Sequence, residues 1–318
     1  MDRRAFLGAM PLMAAALGDS RSRLSRRATA SPGTEALEAW GVQLYTLRDA
    51  LAEDLEGTLA AVSDIGYREV ELFQLHGLSP GQLRRRLDSA GLRAASGHYP
   101  ITALRGDLQR TLEGAQELGL RLLVVPSIPQ AERSPDGLVR VADDLTRAGE
   151  RARGSGLRVG YHNHDWELRV AADSSRPIDI LLDRSDPELV DWQMDLFWTV
   201  HGGGDPSGLL TRRAGRVTSV HVKDRTADGR MVDVGEGVID FATILRDAEA
   251  QGLAHAFVEH DRPEDPVESV RRSYRHLTSL GFGLPGIRPS GESTPVQSIT
   301  PSGEGARPVH GPLGRRRR

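Results

Sequence analysis

Four short runs in the second half of this 318-residue chain carry side chains that can hold a metal ion or move protons. They are Tyr161-His162-Asn163-His164, Asp195 near the end of Val190–Phe197, His221-Val222-Lys223, and Glu259-His260-Asp261. Side chains alternate with a period of two along a strand, so His162 and His164 share one face, as do His221 with Lys223 and Glu259 with Asp261. If those faces converge, a His, Asp, His and Glu set meets in one place and suits one divalent cation. Taken singly, each has a plainer use: a lone strand histidine is more often a hydrogen-bonded core residue, and Asp195 can cap a following helix. Four potential ligands on four consecutive strand-like runs are the joint signal. With no cysteine in the chain, disulfides, thiolate nucleophiles and iron–sulfur clusters are excluded, and any metal must sit on His, Asp or Glu.

Eight runs of strand character would have to position these residues: Trp40–Leu47, Tyr67–Phe73, Leu92–Tyr99, Leu120–Ser127, Leu157–His164, Val190–Phe197, Val217–Asp224 and Ala254–Asp261. Their starts fall 25 to 37 residues apart. Amphipathic stretches with helical spacing lie between them, at Leu55–Ile65, Pro80–Ala90, Leu108–Leu118, Gly137–Ser155 and Phe241–Gln251. Strand and helix alternating eight times is the arithmetic of an α/β protein with a (β/α)8 TIM barrel, whose active site lies where the strands run out into loops. The doubly wound open sheet is the competitor, but no G-x-G-x-x-G follows the first strand. The earlier strands also end in polar side chains: Gln43 and Tyr45, Glu71, His98 and Ser127.

Composition is that of a globular protein, 38% hydrophobic and 27% charged. Residues 1–30 and 286–318 each carry a charge of +4 against −3 for the whole chain, so the 255 residues between them stand at −11. An acidic body repels phosphate backbones, and no nucleic acid partner is expected. Arg3-Arg4-Ala5-Phe6-Leu7, an apolar stretch to Gly18 and Ala28-Thr29-Ala30 read as a twin-arginine signal peptide over 1–30. The apolar stretch is too short to span a bilayer and contains Pro11, so no membrane span is expected; the protein is expected to be exported, periplasmic or extracellular. Residues 31–285 form the catalytic barrel, and the Pro/Gly/Ser/Arg-rich tail 286–318 is expected to be disordered. Lys223 is the only lysine in the chain.

The runs Gly41-Val42-Gln43-Leu44-Tyr45-Thr46-Leu47-Arg48-Asp49, Gly66-Tyr67-Arg68-Glu69-Val70-Glu71-Leu72-Phe73, Tyr161-His162-Asn163-His164-Asp165, His221-Val222-Lys223-Asp224 and Gly235-Glu236-Gly237-Val238-Ile239-Asp240 resemble the sugar phosphate isomerase/epimerase group of xylose isomerase-like TIM barrels. The similarity runs from about Trp40 to Phe282. It implies one divalent metal at the ends of strands 5 to 8, usually on Glu, Asp, His and Glu. Asp195, His221 and Glu259 match the last three positions, while His162-Asn163-His164 stands where many relatives have Glu-Asn-His. A histidine in that first place, His162 or His164, favours Mn, Co or Zn over Mg and removes one of two opposed carboxylate bases.

The expected function is a metal-dependent sugar isomerase or lyase that abstracts a proton beside a carbonyl of a non-phosphorylated carbohydrate or keto-sugar. Glu259 is the expected base as well as a ligand, Lys223 the stabiliser of an enolate or holder of a substrate oxygen, and Glu71 a further catalytic group. His98, His164, Glu167 and Trp198 are expected to bind the sugar. Alternatives are an epimerase or dehydratase of the same superfamily, an endonuclease-like metalloenzyme, and a sugar-binding barrel without chemistry. The partner is a small carbohydrate, and a homo-oligomer is left open.

Overall fold

The computed structural model describes residues 37–171 and 175–282; the export signal and the tail read from the sequence lie outside them. Eight parallel strands close into a barrel: β1 (Trp40–Gln43), β2 (Glu69–Leu72), β3 (Arg93–His98), β4 (Leu122–Val125), β5 (Arg158–His162), β6 (Val190–Asp195), β7 (Ser219–Val222) and β8 (His255–Val258). Each pairs with its neighbours in sequence and β8 closes on β1, so the chain is a (β/α)8 TIM barrel. A small antiparallel ladder, Asp224–Arg225 with Met231–Val232, follows β7.

Alternation along the strands separates two environments. Val42, Val70, Leu123, Val125, Val159, Val190, Trp192, Met194, Val220 and Val222 belong to the buried apolar cluster shared with the helices. The intervening positions Gln43, Glu71, His162, Gln193, Asp195, Ser219 and His221 are equally buried but polar. Barrels of this kind usually fill their interior with branched aliphatic side chains; here buried polar groups take those places and need partners. At the opposite end from the strand tips, Glu69 accepts from Arg93 at 2.8 Å and pairs with His255 at 2.9 Å, and Arg158 pairs with Asp191 at 2.5 Å.

Local sequence starts the helices. Ser79 and Gln82 form a capping box before Pro80–Ser89, and Asp265 caps Pro266–Ser279. The helix expected over 137–155 runs Pro135–Arg153 instead, because Ser134 accepts the Gly137 N–H and Pro135 fits the first turn. Between β2 and β3 the register slips: Val70 lies opposite Ala94, but Glu71 opposite Ser96. This bulge turns the Ser96 side chain to Glu71, which strict alternation from Ala94 would not do.

Candidate active site and metal centre

Glu71, at the tip of β2, is the hub of the site. Its Oε1 accepts from Ser96 Oγ at 2.6 Å and Gln193 Nε2 at 2.7 Å. Its Oε2 accepts from Gln43 Nε2 at 2.8 Å and His221 Nε2 at 2.5 Å, with His98 Nε2 at 3.2 Å. Burial works to raise this carboxyl, but His98 and His221 hold it well below the usual carboxylate range. Its lone pairs are committed to donors, an arrangement suited to orienting neighbours.

His221 lies between two carboxylates, with Nε2 on Glu71 and Nδ1 2.6 Å from Glu259 Oε2. Burial would lower its pKa, yet Glu71 and Glu259 raise it to about 10. The Lys223 ammonium, 2% exposed, sits 3.0 Å from Asp195 Oδ2, 2.7 Å from Glu259 Oε2 and 2.8 Å from Asp261 Oδ1. Burial disfavours its charge, but Asp195, Glu259 and Asp261 keep its pKa well above the ordinary value. Asp195 does two things at once. Its Oδ1 caps the helix Leu196–His201 through the Trp198 N–H at 2.8 Å, while burial raises its carboxyl to about 6 against the pull of Lys223 and His221.

Ligand atoms of Asp195, His221 and Glu259 lie within 4.8 Å of one another, and His162 Nε2 stands 3.6 Å from Asp195 Oδ2. Asp195 Oδ2 is buried without a hydrogen bond among the described residues. A cluster of two imidazoles and two carboxylates, one of whose oxygens has an ion-pair partner in Lys223 but no hydrogen bond among the described residues, fits a divalent cation, and nitrogen ligands suit a transition metal. Lys223 holds the same two oxygens, so an ion and this ammonium share Asp195 and Glu259. A second trio, His98, His162 and His221, is as compact. Its Nε2 atoms on His98 and His221 face Glu71, and His162 Nδ1 faces Gln193 Oε1 at 3.1 Å, so these nitrogens already serve carboxylate and amide acceptors.

His164 and Trp198 stand beside this cluster. The His164 ring lies 5.1 Å from that of His162 and 5.8 Å from Trp198, is half-buried, and makes no hydrogen bond through its ring nitrogens among the described residues. Burial lowers its pKa to about 4, with Lys223 adding to the effect. Trp198 lies under the Lys223 ammonium, 6.0 Å from the ring centroid, and its Nε1 is buried without a partner among the described residues. Loops are tied down close by. The Asp224 carboxylate accepts from the N–H groups of Arg225, Gly235, Gly237 and Ile239, which explains the Gly235–Asp240 motif: a Cβ at Gly237 would fall 2.2 Å from Asp224 Oδ1.

Glu71, His98, His162, Asp195, His221, Lys223 and Glu259 are thus brought together, with His164 and Trp198 beside them. Glu167 is placed elsewhere: it is fully buried, its Oε1 accepting from Tyr161 Oη and its Oε2 from the His164 N–H, both at 2.8 Å. It supports the His164 loop from below. Lys223 is buried, and the neighbouring Asp224 carboxylate is occupied with backbone N–H groups and not with the ammonium. In Gly202-Gly203-Gly204, which reads as a flexible loop after a strand, the outer two glycines pack closely, a Cβ at Gly202 meeting the Asp165 carbonyl at 2.5 Å and one at Gly204 meeting Thr199 at 2.9 Å, while Gly203 takes a positive φ in open space. Sequence reasoning missed Gln193 and Ser96. Gln193 shares the face of Asp195 two residues on, a signal that was there to read; the bulge hides Ser96.

Among known proteins, the family model of the xylose isomerase-like TIM barrel matches residues 59–280. An inosose dehydratase of Geobacillus kaustophilus (strain HTA426) is 26% identical over 228 residues, covering 59% of this chain and 73% of the relative. A 3-dehydroshikimate dehydratase of Pseudomonas putida is 29% identical over 198 residues, which is 58% of this chain but 30% of that longer protein. A sugar phosphate isomerase/epimerase from Parabacteroides distasonis superposes with a TM-score of 0.70 at 24% identity, covering 77% of this chain and 94% of that one.

Proposed function

The chain belongs to the xylose isomerase-like TIM-barrel family, and from that premise we propose that it is an enzyme of carbohydrate metabolism, a carbon–oxygen lyase that eliminates a β-oxygen from a non-phosphorylated keto-sugar or similar polyhydroxy ketone. The observation that carries this reading is the asymmetry of the site: one neutral imidazole, His164, whose ring nitrogens make no hydrogen bond among the described residues, stands beside a buried ammonium, while the carboxylates near it are committed to cations or hydrogen-bond donors. Epimerisation needs an acid and a base on opposite faces, whereas elimination on one face needs a single shuttle.

In this reading His164 takes the proton from the carbon beside the carbonyl. The electron pair left behind forms an enolate whose oxygen lies near the Lys223 ammonium, and Asp195, Glu259 and Asp261 keep that ammonium charged and in place. As the carbonyl reforms, the β carbon–oxygen bond breaks, and the proton on His164 passes to the leaving oxygen. A divalent ion on His162, Asp195, His221 and Glu259, with Mn, Co or Zn preferred to Mg, would polarise the substrate oxygens. Glu71 and Glu259 orient His221 and hold charge; the role of base, expected of Glu259 from the sequence, moves to His164. The two dehydratases among the relatives support elimination. Export by the twin-arginine route is part of the same proposal, since phosphorylated sugars are mainly intracellular.

The test is incubation of the manganese-loaded protein with a panel of keto-sugars and their glycosides, followed by NMR in deuterated water. Release of water or alcohol with a conjugated carbonyl product is expected. Inverted stereochemistry or an aldose–ketose change with every oxygen retained would overturn the lyase reading.

A further inference from the structure

We infer that Glu71 and Gln193 together fix which ring nitrogen of each candidate metal-binding histidine keeps its hydrogen, His162 Nδ1 and His221 Nε2, so that His162 Nε2 offers a lone pair to an ion and His221 Nδ1, which donates to Glu259, is the nitrogen that would exchange its hydrogen for the ion. This rests on the reading of His162, Asp195, His221 and Glu259 as the ligand set.

The direction of donation can be followed from an unambiguous donor. The Tyr45 backbone N–H donates to Gln43 Oε1 at 3.0 Å, which turns Gln43 Nε2 to Glu71 Oε2. A carboxylate only accepts, so the Gln193 amide must also present Nε2 to Glu71, at 2.7 Å. With that end assigned, Gln193 Oε1 is left facing His98 Nε2 at 2.9 Å and His162 Nδ1 at 3.1 Å. An amide oxygen cannot donate, and both nitrogens must therefore carry hydrogen. A neutral imidazole with hydrogen on Nδ1 has its lone pair on Nε2, and in His162 that atom stands 3.6 Å from Asp195 Oδ2. Glu71 acts on His221 without an intermediary: Nε2 donates to its Oε2, and Nδ1 donates to Glu259 Oε2, so an ion at Nδ1 would take the place of that hydrogen. One carboxylate thus orients two rings, directly in one case and through an amide in the other. Outer partners of this kind fix which nitrogen of a histidine ligates. Ser96, brought in by the β2–β3 bulge, supplies a further donor that holds Glu71 in register.

The experiment uses the full chain labelled with ¹⁵N in its histidine rings, with long-range ¹H–¹⁵N spectra recorded after chelation and again with zinc. In chelated wild type, His162 is expected as the neutral tautomer with hydrogen on Nδ1. Gln193→Met should convert His162 to a mixture of tautomers, leave His221 Nε2 protonated, and weaken zinc binding by about 10- to 100-fold. Hydrogen on His162 Nε2 in wild type, or an unaltered His162 pattern with unaltered zinc affinity in Gln193→Met, would overturn the inference. If the variant does not fold, the wild-type spectrum decides alone. Failure of wild type to bind zinc would remove the ligand-set reading, while the chelated spectrum would still decide the tautomers.

Discussion

Glu167 allows a direct test of the electrostatics beneath the His164 loop. Its carboxyl is fully buried and accepts two hydrogen bonds, yet burial outweighs them and raises its pKa to about 7 from the ordinary 4.5. An acid whose folded pKa is raised contributes stability that is complete below its unfolded value and is lost as pH rises through the folded one. The window is therefore from about pH 4.5 to pH 7, and the displacement corresponds to about 3 kcal/mol. Glu167→Gln removes the titration while keeping both contacts: the amide oxygen can accept the His164 N–H and the amide nitrogen can donate to Tyr161 Oη. Urea unfolding of wild type and variant at about pH 5 and about pH 8 measures the difference. The variant should gain about 3 kcal/mol relative to wild type on going to the higher pH. Parallel pH dependences for the two proteins would refute the reasoning and mean that Glu167 is ionised in the folded state at little expense.

Three further outcomes are expected. Asp195→Ala and His221→Ala should each lower bound metal below one ion per chain by elemental analysis, and full occupancy in both would remove the metal centre. His164→Gln should reduce kcat by about 10²–10⁴ with little change in KM; near-normal turnover would return the base to Glu259. Replacing Arg3 and Arg4 by Lys should block export, read by fractionation, and efficient export of that variant would exclude the twin-arginine route.

The barrel was legible in the sequence because its signals are local. Alternation at period two and strand starts 25 to 37 residues apart need no knowledge of what touches what, and they put His162, Asp195, His221 and Glu259 at one end of one sheet. The roles of individual groups were not legible, because protonation and orientation depend on partners far along the chain. Glu71 reads as a candidate base until Gln193, 122 residues away, and His221, 150 residues away, are seen to occupy it. Lys223 reads as the stabiliser of an enolate or holder of a substrate oxygen, but that Asp195, Glu259 and Asp261 close around its ammonium is visible only in the fold. Ser96 was hidden by a bulge that breaks the very alternation used to read the strand. Residue type and spacing determined which groups gather at the mouth of the barrel. Tertiary structure decided which of them keep a free lone pair, because burial leaves each polar atom dependent on the donors and acceptors that the fold brings to it.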